Sequence, residues 1–232
     1  MRKYKKIILI VLAAVLIIAL GIGLYAAGPI LAMRPAKTGQ IPDTDVFAVR
    51  AGIGTVYFID TGGGYVMVDA GSNARKLLKA MEKHGIPVED VHWILLTHTD
   101  YDHTAGLQQI KSADVYLGEE EQNALGKPPR YNILPEGLYT NHIHTLAHGG
   151  ELRLGPTVIR CIQAPGHTAG SVAYLVNEQY LFTGDAIRLG KADRLHPFTQ
   201  DEARAGETIE ALKALPCTHL FSTHYGYQKA EE

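Results

Sequence analysis

Four side chains of the kinds that bind metals lie within the six-residue segment HTDYDH at positions 98–103. His98, Asp100, Asp102 and His103 directly follow the apolar run WILLT, which predicts a buried strand with these residues in the loop at its end. Imidazoles and carboxylates hold zinc, iron or manganese, and one loop that supplies several of them fixes their relative positions. The segment therefore indicates a metal site.

Further polar residues occupy the same kind of position after other apolar runs. Asp69 follows YVMV, Asp185 follows YLFTG, His224 follows HLFST, and His167 follows a Pro-Gly pair. Loops beyond strand ends are where layered α/β domains assemble their sites. We therefore expect these side chains to join the 98–103 segment in one place.

Helix and strand patterns interleave from about residue 45 to the last apolar run. One helix is predicted in NARKLLKAMEKHG, a second is predicted to begin near Thr104, and a third is predicted from about Asp201 to Leu215. Two β-rich runs, VFAVRAGIGTVYFID and YVMVDAG, predict paired strands with a turn at the glycines between them. Further strands are predicted at VHWILLTH, ADVYLG, NHIHTLA, ELRL, TVIRCIQA, AYLVN and YLFTGDA, with HLFSTH as the last. This order predicts an α/β layered domain with sheets at its centre.

Five motifs together resemble the metallo-β-lactamase superfamily. They are VMVDAG, LLTHTDYDHTAG, APGHTAG, FTGDA and STHYG, which occur in the order expected of that family. The second of these departs from the family pattern H-x-H-x-D-H, because Asp100 stands where the second His is expected. The resemblance implies a four-layer αββα sandwich.

The resemblance also implies a role for each matching residue. His98 and His167 would bind a first metal, Asp102, His103 and His224 a second, and Asp185 would bridge both. Asp69 would orient the metal loop from behind. Asp100 is a further candidate ligand, and Asp102 and Asp100 are the candidate catalytic residues that move a proton. Two divalent ions are expected, zinc first, with iron or manganese as alternatives because Asp100 offers a harder oxygen donor.

The implied activity is that of a metal-dependent hydrolase. Metal-bound hydroxide would attack a small ester, thioester, lactone or amide, β-lactams included. Two other groups of the superfamily also have a carboxylate at the place of Asp100. The resemblance to these groups leaves two alternatives. One is a phosphodiesterase or nuclease-like hydrolase, as in domains of DNA-uptake competence proteins. The other is a non-hydrolytic iron-binding redox protein, as in the flavo-diiron proteins.

The N-terminal segment predicts one transmembrane helix ahead of this domain. Residues 7–28 contain no charged side chain and are long enough to cross a bilayer, and four basic residues lie within positions 1–6. We expect a single-pass anchor with a cytoplasmic N-terminus, a linker at 29–44, and an extracytoplasmic hydrolase domain at 45–232. A cleaved signal peptide, and hence secretion, is the alternative.

Charge disfavours a nucleic-acid partner. Only 4 of the 22 Lys and Arg residues and none of the 24 Asp and Glu residues lie in positions 1–28, so the remainder has a formal charge of −6. Such a domain repels polyanions. A small-molecule substrate is expected instead, and the sequence indicates no oligomeric state.

Several other residues have simpler interpretations. His142, His144 and His148 are interpreted as members of an ordinary strand and its hairpin, and Cys161 and Cys217 as core cysteines rather than a disulfide. His196 is a candidate for lining the pocket. Five residues near the expected pocket are candidates for meeting an anionic substrate group, although most are interpreted as solvated surface residues: Arg130, Tyr131, Arg188, Lys191 and Arg194.

Overall fold

The computed structural model describes residues 2–130, 132, 134, 142–190 and 194–230. The chain divides into two compact units, Met1–Met33 and Arg34–Glu232. The first unit contains helix α1 (Arg2–Leu31). Within the described part of the chain, no helix combines the length and the apolar composition that a membrane crossing requires.

Two β-sheets form the centre of the second unit. The first is built, in spatial order, from β1 (Gly39–Gln40), β2 (Val46–Arg50), β3 (Thr55–Asp60), β4 (Tyr65–Val68), β5 (Val91–Leu95), β6 (Asp114–Gly118) and β7 (Ile143–Leu146). The second is built from β13 (Gly226–Lys229), β12 (His219–Ser222), β11 (Tyr180–Gly184), β10 (Val172–Val176), β9 (Thr157–Gln163) and β8 (Glu151–Leu154). Both sheets are mixed: β4 to β7 run parallel in the first, and β11 and β12 run parallel in the second.

The helices of this unit begin at polar caps and bury one face. They are α2 (Ala74–Lys83), α3 (Tyr101–Thr104), α4 (Glu119–Ala124) and α5 (Glu202–Lys213), with 3₁₀ turns at Val88–Asp90 and Leu107–Gln109. The Asn73 side chain accepts a hydrogen bond from the Lys76 N–H at the start of α2, and Asp201 caps α5 in the same way. In α2, Leu77 and Met81 are buried because residues four apart lie on one helix face.

Alternating side chains of the strands divide the interior into two cores. Tyr57 and Ile59 of β3 pack with Tyr174 and Phe182 in the core between the sheets, whereas Phe58 joins the core that contains buried residues of α2. This alternation follows from the two-residue period of a strand. The αββα architecture expected from the sequence is confirmed.

Two details of the predicted elements are wrong, although HLFSTH does contain a strand, β12. HLFSTH is not the last strand, because β13 follows it and pairs with β12 in antiparallel register. The helix predicted to begin near Thr104 instead ends there as α3. The N–H of Ala105 is shared between the carbonyls of Tyr101 and Gly71, and the N–H of Gly106 donates to the carbonyl of Ala70, which draws the chain onto the loop after β4.

The predicted domain boundaries stay predictions. Residues 29–44, expected to be a linker, include the end of α1 and the short strand β1, which pairs with β2.

Candidate metal centre

The two parallel strand pairs explain why distant residues meet. The carboxyl ends of β4 and β5 lie at one edge of the first sheet, which places Asp69 beside the 98–103 loop. The carboxyl ends of β11 and β12 lie at one edge of the second sheet, which places Asp185 beside His224. Because the sheets pack face to face, the two loop pairs share one site.

The carboxylate of Asp185 lies at the centre of this site. Its Oδ2 atom is 3.5 Å from the Nε2 atoms of His103, His167, His196 and His224, and 4.0 Å from that of His98. Donor atoms bound tetrahedrally at 2.0–2.1 Å from one ion lie about 3.3 Å apart. These separations therefore match those of side chains that share metal ions.

Four overlapping groups of side chains have the geometry to hold an ion, and together they contain all seven residues predicted as ligands. The groups are His98 with Asp100 and His167, His98 with His103 and Asp185, Asp102 with His103 and His224, and His167 with Asp185 and His196. The cluster is consistent with a binuclear metal site. The assignment of each residue to a particular metal stays a prediction.

Buried hydrogen bonds hold the imidazoles in place. Asp69 accepts hydrogen bonds from the N–H and hydroxyl of Thr97 and from the hydroxyl of Thr223, and its Oδ2 is 2.7 Å from Nδ1 of His103. This is the orienting role expected of Asp69. On the opposite side, Nδ1 of His224 lies 2.9 Å from the carbonyl of Ile53. In both imidazoles the second nitrogen is thereby directed at Asp185.

Burial and the neighbouring charges set the protonation of the cluster. Burial and the nearby His103 lower the pKa of His98 to about 4, and burial lowers the pKa of His167 to about 3. Both imidazoles are therefore neutral at neutral pH, which is the form that binds metals. Burial opposes a charge on His103, but the carboxylates of Asp69 and Asp185 raise its pKa well above the ordinary value.

Several buried polar atoms at the centre fit a cation. Among the described residues, Nε2 of His98, His103, His196 and His224 and Oδ1 of Asp185 have no hydrogen-bond partner. A buried polar atom without a partner costs about 1–3 kcal/mol, and all five of these atoms belong to residues of the ion-binding groups. Metal ions coordinated by them would satisfy the whole set, so the residues present fit the implied metals.

His196 is the member of the cluster whose full role the sequence analysis missed. It was expected only to line the pocket, yet it is buried and joins His167 and Asp185 in one of the ion-binding groups. A histidine eleven residues after the Gly-Asp motif, in a loop between apolar elements, is the signal in the sequence that points to it.

The remaining candidates lie apart from the centre or at its margin. His142 and His144 are half exposed and both contact Asp114, while His148 accepts a hydrogen bond from the backbone N–H of Gln163. Cys161 and Cys217 are both free. Among the five candidates for binding an anion, Arg130 reaches the site, Arg188 lies over the ring of Tyr225 and pairs through its backbone with Arg194, and Tyr131 and Lys191 lie outside the described residues.

Two named relatives are similar in sequence to parts of this chain. A hydroxyacylglutathione hydrolase of Cereibacter sphaeroides is 30% identical over 169 residues, which is 72% of this chain and 60% of that protein. A probable polyketide biosynthesis zinc-dependent hydrolase of Bacillus velezensis is 37% identical over 101 residues, 42% of this chain and 40% of that protein. The chain thus spans only part of the length of these relatives.

Solved structures share the fold. A subclass B3 metallo-β-lactamase with an active-site glutamic acid superposes with a TM-score of 0.64 at 24% identity, covering 89% of this chain and 86% of that one. An archaeal superfamily protein from Sulfolobus tokodaii gives 0.59 at 21% identity, covering 82% and 83%. At such identities the likeness concerns the fold alone. The family model for the metallo-β-lactamase superfamily matches residues 49–224, and the chain belongs to that superfamily.

Proposed function

We propose that this chain is a metal-dependent hydrolase of the superfamily and that its substrates are small thioesters. The observation that carries the proposal is the Asp185 carboxylate, which is buried and surrounded by five imidazoles. Family membership and this donor set support the metal-dependent chemistry. The hydroxyacylglutathione hydrolases among its relatives support thioesters over the other acyl substrates.

Six residues of the site would hold the metals, and the more exposed carboxylates lie where a substrate would enter. His98, His167, Asp102, His103, His224 and Asp185 would hold two divalent ions. When bound, such ions polarise a carbonyl group and make water acidic, from a pKa of about 15.7 to about 7. The side chains of Asp100 and Asp102 are 16% and 26% exposed, against 3% or less for the imidazoles, so they lie at the opening of the site.

Proton transfer is best assigned to Asp102. Burial opposes its charge, but the imidazole of His224, whose Nε2 lies 3.1 Å from the carboxylate, keeps the pKa of Asp102 below the ordinary value. The group is therefore an ionised proton acceptor at neutral pH, and it lies on the more exposed side of the site. Cys161 is unsuited to act as a covalent nucleophile, because burial raises the pKa of its thiol to about 12.

The surroundings of the opening suit an uncharged acyl chain. Ile53, Tyr101 and Phe198 are large apolar side chains with substantial exposure. The ring of Phe198 is 5.7 Å from that of His196. The backbone carbonyl of Ile53 contacts His224, and Tyr101 is the residue between Asp100 and Asp102 in the sequence. Apolar surface of this kind binds an acyl group by removing it from water.

A substrate panel tests the proposed activity. We expect the purified chain to hydrolyse short-chain acyl thioesters with a larger kcat/KM than matched oxygen esters, lactones or β-lactams, and to lose this activity on chelation and regain it with Zn²⁺. Model phosphodiesters serve as the comparison class. Turnover of phosphodiesters but not of thioesters would favour the nuclease-like alternative, and redox activity of bound iron without hydrolysis would favour the non-hydrolytic one.

We also propose that residues 7–28 anchor the chain in a membrane, with the hydrolase domain outside the cytoplasm. The proposal rests on the sequence alone, since no helix among the described residues meets the requirements of a membrane crossing. The uncharged run from Ile7 to Gly28 supports the crossing, and the basic residues before it support the orientation. Expressed in a bacterium, the full chain should sediment with membranes, resist alkaline extraction and be digested by protease added from outside. Recovery in the soluble fraction with an intact N-terminus would refute the anchor, and loss of the first 28 residues would indicate a signal peptide.

A further inference from the structure

The imidazole of His196 is built into the metal cluster. Its side chain is 2% exposed, and its Nε2 atom lies 3.5 Å from Oδ2 of Asp185. Its ring is perpendicular to that of His167, with centroids 4.7 Å apart, and 5.6 Å from that of His224. Within the described residues, Nε2 has no hydrogen-bond partner. A histidine that merely filled the core would not direct an unpaired nitrogen at a carboxylate and two other imidazoles.

The other nitrogen of His196, Nδ1, accepts one long hydrogen bond. The backbone N–H of Phe198 lies 3.4 Å from Nδ1, which is longer than the 2.7–3.2 Å of ordinary N–H hydrogen bonds. Ion binding at Nε2 would move the ring proton to Nδ1 and would give up only this weak hydrogen bond.

Asp100, by contrast, already has partners for both carboxylate oxygens. Its Oδ2 is paired with the guanidinium of Arg130, and its Oδ1 accepts a 2.6 Å hydrogen bond from the side-chain amide of Asn132. Arg130 also donates to the carbonyls of His167 and Phe198, which ties Asp100 to the loop that carries His196. A carboxylate whose charge is neutralised by a guanidinium is a poorer ligand for a cation.

We infer that His196, rather than Asp100, completes the donor set of the metal that His167 and Asp185 hold. The inference rests on the metal-dependent function proposed above. The donor missing from the H-x-H-x-D-H pattern would thus be supplied from a loop almost a hundred residues away in the sequence. With His196 in place of Asp100, the ligands of this metal carry one negative charge fewer, because a neutral imidazole replaces a carboxylate.

Metal binding by variants of the full chain tests this inference. The variants are His196→Gln, Asp100→Asn and, as a matched control, His219→Gln. His219 is also a buried histidine with an unpaired Nε2, but it belongs to none of the ion-binding groups of the described residues. Zn²⁺ content and affinity are measured by elemental analysis and calorimetry, and the absorption spectrum of the Co²⁺-loaded protein reports on the ligands.

We expect the His196→Gln variant to bind one metal equivalent at least about tenfold more weakly and to show a changed Co²⁺ spectrum. Mutation of a residue that only supports a metal ligand already lowers metal affinity about 10–100-fold. Asp100→Asn and His219→Gln should keep the wild-type stoichiometry and spectrum. His196→Asp, which restores a donor, should recover binding that a purely structural role would not recover. The metal-free thermal midpoint of each variant separates loss of a ligand from loss of folding.

Loss of a metal in Asp100→Asn, alone or together with His196→Gln, would overturn the inference. Wild-type binding by all three variants would overturn it as well. The wild-type chain itself distinguishes this failure from that of the proposed function. If the wild type holds two equivalents and hydrolyses thioesters, only the ligand assignment is at fault. If it holds none, the proposed function fails first.

Discussion

Replacement of Asp185 by Asn is expected to lower kcat/KM for thioesters by at least about a hundredfold, since mutation of a residue that only supports a metal ligand already lowers activity 10–100-fold. The carboxylate faces four imidazole nitrogens at 3.5 Å, and it is the only acidic group so placed among the described residues. An amide of the same shape carries no negative charge and presents one oxygen, so it would hold divalent ions less tightly than the carboxylate. Initial-rate kinetics together with metal content measure the effect.

Asp114→Asn is the matched control for this variant. Asp114 also contacts two histidines, His142 and His144, but on a half-exposed surface outside the ion-binding groups. Its kcat/KM and metal content should equal those of the wild type. An Asp185→Asn protein that keeps both metal equivalents and more than a tenth of the wild-type kcat/KM would contradict the central role given to Asp185.

Asp69→Ala is expected to reduce the free energy of unfolding of the metal-free protein by about 3–5 kcal/mol, the cost of breaking a buried ion pair by removing one partner. The carboxylate is buried and holds Thr97, Thr223 and His103. Its removal leaves these donors without partners, and the backbone at position 69 has a positive φ of 57°, which Ala tolerates poorly. Urea unfolding in the presence of a chelator measures the loss.

Asp69→Asn separates folding from metal binding at the same position. Asn accepts positive φ and keeps an oxygen for the N–H of Thr97, but it lacks the charge that orients and polarises His103. We expect a smaller loss of stability and a 10–100-fold weaker metal affinity. If both substitutions left stability and metal affinity unchanged, Asp69 would be a spectator rather than the residue that positions His103.

The sequence predicted those parts of the fold that local patterns determine. Strand alternation placed β3 and β4 correctly, and the apolar runs before Asp69, His98, Asp185 and His224 are strands that end at the site. The ends of α3 were not predictable in this way, because tertiary hydrogen bonds from Ala105 and Gly106 to the loop after β4 decide where the helix stops. Strand β13 was missed because GYQK has little apolar character and relies on pairing with β12.

The residues of the site could be predicted where short sequence motifs contain them. They could not be predicted where only tertiary contacts bring them together. The seven candidate ligands came from short patterns in the sequence, and the structure brings them together. The pairing of Asp100 with Arg130 joins residues thirty positions apart, and the approach of His196 to Asp185 depends on the path of a loop. Neither contact leaves a periodic trace in the sequence. Both concern the position where the sequence departs from the family pattern.

The most direct test of a two-metal hydrolase is elemental analysis of the purified full chain, carried out before and after exhaustive chelation and paired with thioester hydrolysis. We expect two equivalents of divalent metal per chain, loss of hydrolysis when they are removed, and recovery when Zn²⁺ is returned. A chain that hydrolyses thioesters equally well with less than one equivalent of metal, or that binds two equivalents and hydrolyses none of the acyl substrates, would contradict it.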